Sequence, residues 1–191
     1  MELKDVNFRF KDRVALEHIN IKISDGSFVC LMGDNGCGKS TLMKLMSGLI
    51  YAQSGEYEFN SQIITKKKLQ NSVFLREFHQ RVGYLFQNSE VQLFNPTVEE
   101  ELKFGLIQLG VTEGEINRRI TDCLSLLQIN DLKNRNSFSL SGGEKKMVAI
   151  AAVLALNPSY LIFDEPFNGL SQQKISIIQN VLKEMNDLGK K

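Results

Sequence analysis

The sequence predicts an α/β fold with an antiparallel β part at the N-terminus and an α-helical lobe inserted into the α/β core. Three stretches carry that expectation. Residues 3–23 hold two runs with strand character. Phe28-Val29-Cys30-Leu31-Met32, Gly33-Asp34-Asn35-Gly36-Cys37-Gly38-Lys39-Ser40-Thr41 and Leu42-Met43-Lys44-Leu45-Met46 read in turn as strand, glycine loop and helix. Beyond Pro96, three helix starts follow one another with no strand between them. A chain of 191 residues has a one-domain length and can bury roughly 70% of the surface its unfolded form exposes. The expected organisation is a single domain over 1–191, with residues 1–95 and 157–191 as the core and 96–156 as the inserted lobe.

The elements follow in order. Leu3 to Phe10 alternates, with Val6, Phe8 and Phe10 on one face and Asn7 and Arg9 on the other, as in a half-buried strand. Val14 to Ile23 continues as a second strand, and Asp25-Gly26 turns it toward the glycine loop. Ser54-Gly55 reads as a turn and Glu56 to Phe59 as a short strand. Residues 60–80 are polar and mixed, so loop and a little helix are expected, with Lys66-Lys67-Lys68 in a solvated loop. Arg81 to Gln87 is a short strand ending in a polar amide. Thr97 and Glu100 have capping-box spacing, repeated by Thr112 and Glu115 before an apolar stripe of Ile116, Ile120, Leu124 and Leu127. Ser141 and Glu144 repeat it a third time, ahead of a helix that Asn157-Pro158 stops. Tyr160-Leu161-Ile162-Phe163 is a buried strand running into Asp164-Glu165-Pro166, and a last helix spans about Gln172 to Asp187.

Composition narrows the function. A net charge of +1 supplies no global field toward nucleic acid or anionic lipid, so no nucleic-acid partner is expected. Cys30, Cys37 and Cys123 show no paired metal spacing and suggest a reducing compartment. Met1-Glu2-Leu3-Lys4-Asp5 begins with charge, so no signal peptide is expected. No apolar stretch approaches the roughly 20 residues that span a bilayer. A cytoplasmic protein that meets a membrane only through a partner is the resulting expectation.

Gly33 to Thr41 carries the chemistry. Glycines at 33, 36 and 38 let the backbone curl so that several N–H groups point at a polyphosphate. The following helix N-terminus adds about half a positive charge. Lys39 supplies a mobile full charge and Ser40 a hydroxyl for Mg²⁺. An ordinary glycine-rich turn is the bland alternative. The complete pattern in strand–loop–helix context points instead to a phosphate-loop NTPase core that binds a nucleoside triphosphate. An apolar strand that ends in two carboxylates is costly unless they face a site. Asp164 fits a partner for Mg²⁺, and Glu165, pointing elsewhere, fits a group that takes a proton from water or orients it. Ser141 leaves bare N–H groups at Gly142 and Gly143, a second anion site that makes most sense if it serves the nucleotide of a second copy. A capped helix start that binds nothing stays open beside it.

The phosphate loop, Gln87 at a strand end, Leu140-Ser141-Gly142-Gly143-Glu144 and Leu161-Ile162-Phe163-Asp164-Glu165 occur in the order found in ABC ATPases. The set resembles the Walker A, Q-loop, signature and Walker B elements and covers nearly the whole chain. The resemblance implies ATP and Mg²⁺ as cofactors. It makes Gly33, Asp34, Asn35, Gly36, Cys37, Gly38, Lys39, Ser40 and Thr41 nucleotide contacts, with Ser40, Gln87 and Asp164 toward the metal. Glu165 would be the catalytic base and Gln87 a metal and water sensor, alongside Lys39. Ser141 and Gly143 would reach the partner's γ-phosphate. Phe10 stands where the family usually has an aromatic that stacks on adenine, although a core strand position is an equal reading. Phe86 to Phe94, Pro96 to Glu101 and Lys145 to Ala151 look like the energy-coupling-factor ATPases, which drive uptake of vitamins or of cobalt and nickel ions. A second ABC ATPase domain and an integral membrane coupling subunit would be the partners, with the chain peripheral on the cytoplasmic face of the cell membrane.

The sequence departs from the family in three places. Asn168-Gly169-Leu170-Ser171 stands where the family's D-loop usually ends in aspartate, and Ser171 is alternatively an N-cap for the last helix. Cys37 lies inside the phosphate loop. The chain stops at Gly189-Lys190-Lys191, before the family's next strand and switch histidine, and neither His18 nor His79 is placed to substitute. In the related fold that strand lies between the Walker A and Walker B strands, so a truncated chain with unpaired backbone groups in its sheet is expected. A nucleotide-binding module without its own ATPase activity is therefore the alternative to an importer's hydrolysing subunit.

Overall fold

A computed structural model describes residues 1–187 and Gly189. Leu188, Lys190 and Lys191, at the end of the expected 157–191 segment, lie outside the described residues. The chain divides into two compact units, one to His79 and one from Gln80.

The first unit is built on a four-stranded antiparallel sheet. Its strands are β1 (Glu2–Phe10), β2 (Arg13–Lys22), β3 (Ser54–Phe59) and β4 (Gln62–Ile63), in the order β2-β1-β3-β4. This is the N-terminal antiparallel part that alternation in the sequence predicts. The alternation itself is broken. Asp5 adopts a left-handed φ of 53°, and Leu3 and Val6, three apart, are both buried. The register of β1 against β2 slips between Leu3 and Val6 and again around Phe8, as a β-bulge requires. Phe10, at the strand's end, is 51% exposed and packs edge-on against Phe8 at 4.8 Å, on the face the two share. Ser54-Gly55 proves to be the start of β3 and not a turn before it. Gly55 has φ 81°, and a Cβ there would lie 2.2 Å from the Asp5 carbonyl oxygen, so only glycine lets β3 close on β1.

Helix α1 (Lys39–Met46) buries Leu42, Met43, Leu45 and Met46, and the Tyr57 hydroxyl donates to the Met46 carbonyl at 2.6 Å. Residues 60–80 are more regular than their polarity suggests, with α2 (Lys66–Leu69) and α3 (Ser72–Arg81) following β4. Lys66-Lys67-Lys68 forms a helical turn because the Thr65 hydroxyl accepts from the Lys68 N–H at 3.3 Å. The Lys66 and Lys68 ammoniums also sit over the rings of Tyr51 and Phe74 at 5.0 and 5.6 Å. Asn71 caps α3 by accepting from the N–H groups of Val73 and Phe74, and Phe78 seals it against Phe59 at 5.0 Å.

The expected strand at Phe28–Met32 does not form. It joins neither sheet, and Phe28, Val29 and Met32 are 67%, 51% and 89% exposed. An apolar run becomes a strand only where a neighbour supplies its ladder, and no described strand pairs with this one.

The second unit surrounds an apolar core shared by α4 (Val98–Gln108), α5 (Glu113–Leu126), α6 (Gly142–Ala155) and α7 (Gln172–Asp187). Beside them β5 (Val82–Leu85) pairs in parallel with β6 (Tyr160–Phe163). Parallel pairing demands a crossover, and the three helices between the strands supply it. Capping boxes close at Thr97–Glu100 and at Ser141–Glu144. The box expected at Thr112–Glu115 is absent: Glu115 instead accepts from Arg118 and Arg119 at 2.7–2.8 Å, which pull it away from the helix start. Ser171 does sit at the start of α7, its hydroxyl accepting from the Lys174 N–H at 3.5 Å.

Candidate functional site

In the first unit, the chain between β2 and α1 forms the glycine loop. Gly38 enters α1 with φ 100°, and a Cβ there would stand 2.4 Å from the Ala15 carbonyl oxygen, so glycine is obligatory where the loop passes β2. No side chain caps α1. The N–H groups of Lys39, Ser40 and Thr41 therefore have no partner among the described residues and stand free for an anion. The Lys39 ammonium folds back over the loop, donating to the carbonyls of Gly33 at 2.6 Å and Asp34 at 2.8 Å, with the Cys37 sulfur 3.9 Å away. Gly36 is met from β2's start by the Arg13 guanidinium, which donates to its carbonyl at 3.4 Å. Asn35 is exposed within the same turn. The uncapped helix start and the Lys39 ammonium thus both fall within residues 33–41. The Phe10 ring packs against Phe8. His79 is committed to the carbonyl of Ser47 at 3.1 Å, and burial holds its pKa below the ordinary histidine value. His18 is exposed and pairs with Asp5 at 2.6 Å.

In the second unit, strands β5 and β6 end side by side, and their parallel register delivers the polar groups. The backbone pairing runs one residue past β6, with Asp164 N–H donating to the Leu85 carbonyl at 3.1 Å. Asp164 is 2% exposed and its Oδ2 accepts from the Tyr84 hydroxyl at 3.3 Å. Burial first, then the charge of Asp164 and that hydrogen bond, push the Tyr84 phenol well above its ordinary pKa, so it stays a donor. Glu165 turns the other way. Its backbone is left-handed at φ 50°, an uncommon conformation for a residue with a Cβ. Its Oε2 accepts from Gln87 Nε2 at 2.7 Å and from Asn168 Nδ2 at 3.3 Å. Gln87 and Glu165, 78 residues apart in sequence, are therefore direct partners.

Ser141 is the N-cap of α6, and its hydroxyl and N–H both meet the Glu144 carboxylate at 2.7 Å. Those Ser141 bonds hold Glu144 below the usual carboxylate pKa, aided by the Arg135 guanidinium at 3.0 Å. The N–H groups of Gly142 and Gly143 have no partner among the described residues. Sequence reasoning passed over Lys146 and Glu101. Lys146, 4% exposed, donates to the Gln87 carbonyl at 2.6 Å. Glu101, 6% exposed, accepts from the N–H groups of Phe94 and Asn95 at 2.9 and 2.7 Å. Their only sequence signal is position: each is a charge on the inward face of an apolar helix.

Among the described residues, no group of three or more histidines, cysteines or carboxylates could hold a metal ion. The Ser40 hydroxyl in the first unit and, separately, the Asp164 carboxylate in the second are each oxygen groups of the type that hard cations take as ligands. No helix among the described residues is long and apolar enough to cross a membrane.

Comparison with known proteins bears on both units. The family profile described as ABC transporter matches residues 16–168. The nickel import ATP-binding protein LarO of Lactiplantibacillus plantarum is 44% identical over 185 residues, covering 95% of this chain and 77% of its own length. The energy-coupling factor transporter ATP-binding protein EcfA of Methanothermobacter thermautotrophicus is 37% identical over 190 residues, covering 99% of this chain and 60% of its own. Among solved structures, the ATP-binding cassette MJ0796, a dimer in a post-hydrolysis state bound to ADP and Pi, superposes with a TM-score of 0.87. It is 27% identical, over 99% of this chain and 84% of that one.

Proposed function

The chain belongs to the ABC transporter family of ATP-binding proteins, and from that premise we propose that it is the ATP-hydrolysing subunit of an energy-coupling-factor importer for a metal ion or vitamin. The observation that carries the reading is the uncapped start of α1 beneath a lysine held on loop carbonyls. These groups suit the tail of ATP: amides and helix end offer fixed partial charge, and Lys39 moves from the carbonyls of Gly33 and Asp34 to the outer phosphates. Ser40, Gln87 and Asp164 are the groups proposed to face Mg²⁺, which neutralises phosphate charge when bound. Glu165 is the base toward the attacking water, and the Gln87 amide, already on its carboxylate at 2.7 Å, aims it. Phe10, exposed at the end of β1, is proposed for the adenine ring.

Ser141 and Gly143 are proposed to serve the nucleotide of a second ABC ATPase domain, as the free N–H groups at the start of α6 allow. For the integral membrane coupling subunit, the surface proposed is the Gln87–Pro96 segment with α4. Val91, Phe94, Phe104 and Ile107 are 69%, 57%, 44% and 58% exposed there, and Phe94 packs edge-on against Phe104 at 4.9 Å. An apolar patch of this kind marks a docking face, and it would hold the chain on the cytoplasmic side of the membrane.

Steady-state phosphate release by the purified chain, with and without a related ATPase partner, tests the proposal. Mg²⁺-dependent release is expected. ATP binding with no release in either mixture would leave a nucleotide-binding module without catalysis.

A further inference from the structure

We propose that Lys146 is a positioning residue for catalysis, fixing the backbone of Gln87 so that its amide meets Glu165; this rests on the reading of the chain as an ATPase. The starting observation is a charge in an expensive place. Lys146 follows Gly142 by four residues on α6 and is 4% exposed, directly before Met147, Val148, Ala149, Ile150 and Ala151, all fully buried. Methionine would fill a similar volume without an ammonium to desolvate. No carboxylate lies within ion-pair distance of Lys146 among the described residues. Its Nζ donates instead to the Gln87 carbonyl at 2.6 Å. Burial pulls the Lys146 pKa down, and the nearby charges of Glu165 and Asp164 pull it back up.

The segment that Lys146 grips is tied elsewhere too. The Phe86 N–H donates to Gln92 Oε1 at 3.1 Å, and Lys145 pairs with Glu90 at 3.0 Å. Glu101 collects the N–H groups of Phe94 and Asn95 and the Asn95 side-chain amide at 3.1 Å. Of these ties, the Lys146 bond is the one made to Gln87 itself. With the carbonyl of Gln87 fixed, its side chain has a set origin, and Nε2 reaches Glu165 Oε2 at 2.7 Å.

The test is a double-mutant cycle on the full chain, reading phosphate release and equilibrium ATP binding. Lys146→Met is expected to lower kcat by about tenfold or more and leave ATP affinity unchanged, while Lys146→Arg recovers most of the rate. In a Gln87→Ala background, Lys146→Met should cost little further, because its effect runs through Gln87. A wild-type kcat from folded Lys146→Met, or an equal loss in both backgrounds, overturns the proposal. Should Lys146→Met melt below the assay temperature, Lys146→Gln enters the cycle under the same criteria. Absence of hydrolysis by the wild-type chain overturns the ATPase reading and this proposal with it; an active wild type beside an unimpaired Lys146 variant overturns this proposal alone.

Discussion

Glu165→Gln is expected to cut ATP turnover by about 10²- to 10³-fold while ATP binding persists. Glutamine keeps the volume of the side chain and an acceptor for the Gln87 amide, which now donates to Glu165 Oε2 at 2.7 Å. The backbone cost of φ 50° at this position is the same for both residues, since both carry a Cβ. What the substitution removes is the negative charge and the basic lone pair that would accept a proton from water. Loss of turnover with retained binding is the signature of an interaction used only in the transition state. Phosphate release at the wild-type rate would remove Glu165 from its role.

Lys39→Ala should weaken ATP binding by about 10- to 100-fold, the worth of a charge-assisted hydrogen bond. Two contributions combine. The ammonium is the mobile full charge among the groups of Gly33 to Thr41, and it also ties the loop together through the carbonyls of Gly33 and Asp34 at 2.6 and 2.8 Å. Unlike the buried residues of α1, Lys39 lies partly exposed at the helix start, so the variant should fold and melt much as the wild type does. Titration with a fluorescent ATP analogue, beside a melting curve without nucleotide, reads both properties. A folded variant with wild-type affinity would count against the loop as the phosphate site.

Local signals in the sequence survived best. Thr97 with Glu100 and Ser141 with Glu144 needed only a helix three residues ahead of the cap, and both boxes close. At Thr112 the same spacing lost to two arginines on the next turn, because a guanidinium competes for the Glu115 carboxylate on better terms than a backbone N–H. The glycine loop is local in the same way: the left-handed turn at Gly38 and the Lys39 bonds to the Gly33 and Asp34 carbonyls all fall within residues 33–39. Phe28–Met32 was misread because periodicity reports apolar character and not whether a neighbouring strand is there to pair with it. The alternation expected over Leu3 to Phe10 breaks at Asp5, where a bulge brings Leu3 into phase with Val6 and Phe8.

Tertiary contacts were beyond local reading. Gln87 and Glu165 could each be picked out as polar residues at strand ends, but nothing in either stretch says that they touch. Lys145 and Lys146 are identical in type and adjacent, yet one reaches Glu90 on the surface and the other is buried on the Gln87 carbonyl. Only the rotation of α6 against β5 and β6 separates them, and that rotation is set by the packing of the second unit's core.

Calorimetric titration of the wild-type chain with ATP, ADP and AMP tests most directly whether the uncapped start of α1 and the Lys39 ammonium grip a polyphosphate. Affinity should fall by about tenfold or more from ATP to AMP, since the loop amides and lysine hold phosphates that AMP lacks. Equal affinity for ATP and AMP would contradict phosphate recognition at residues 33–41.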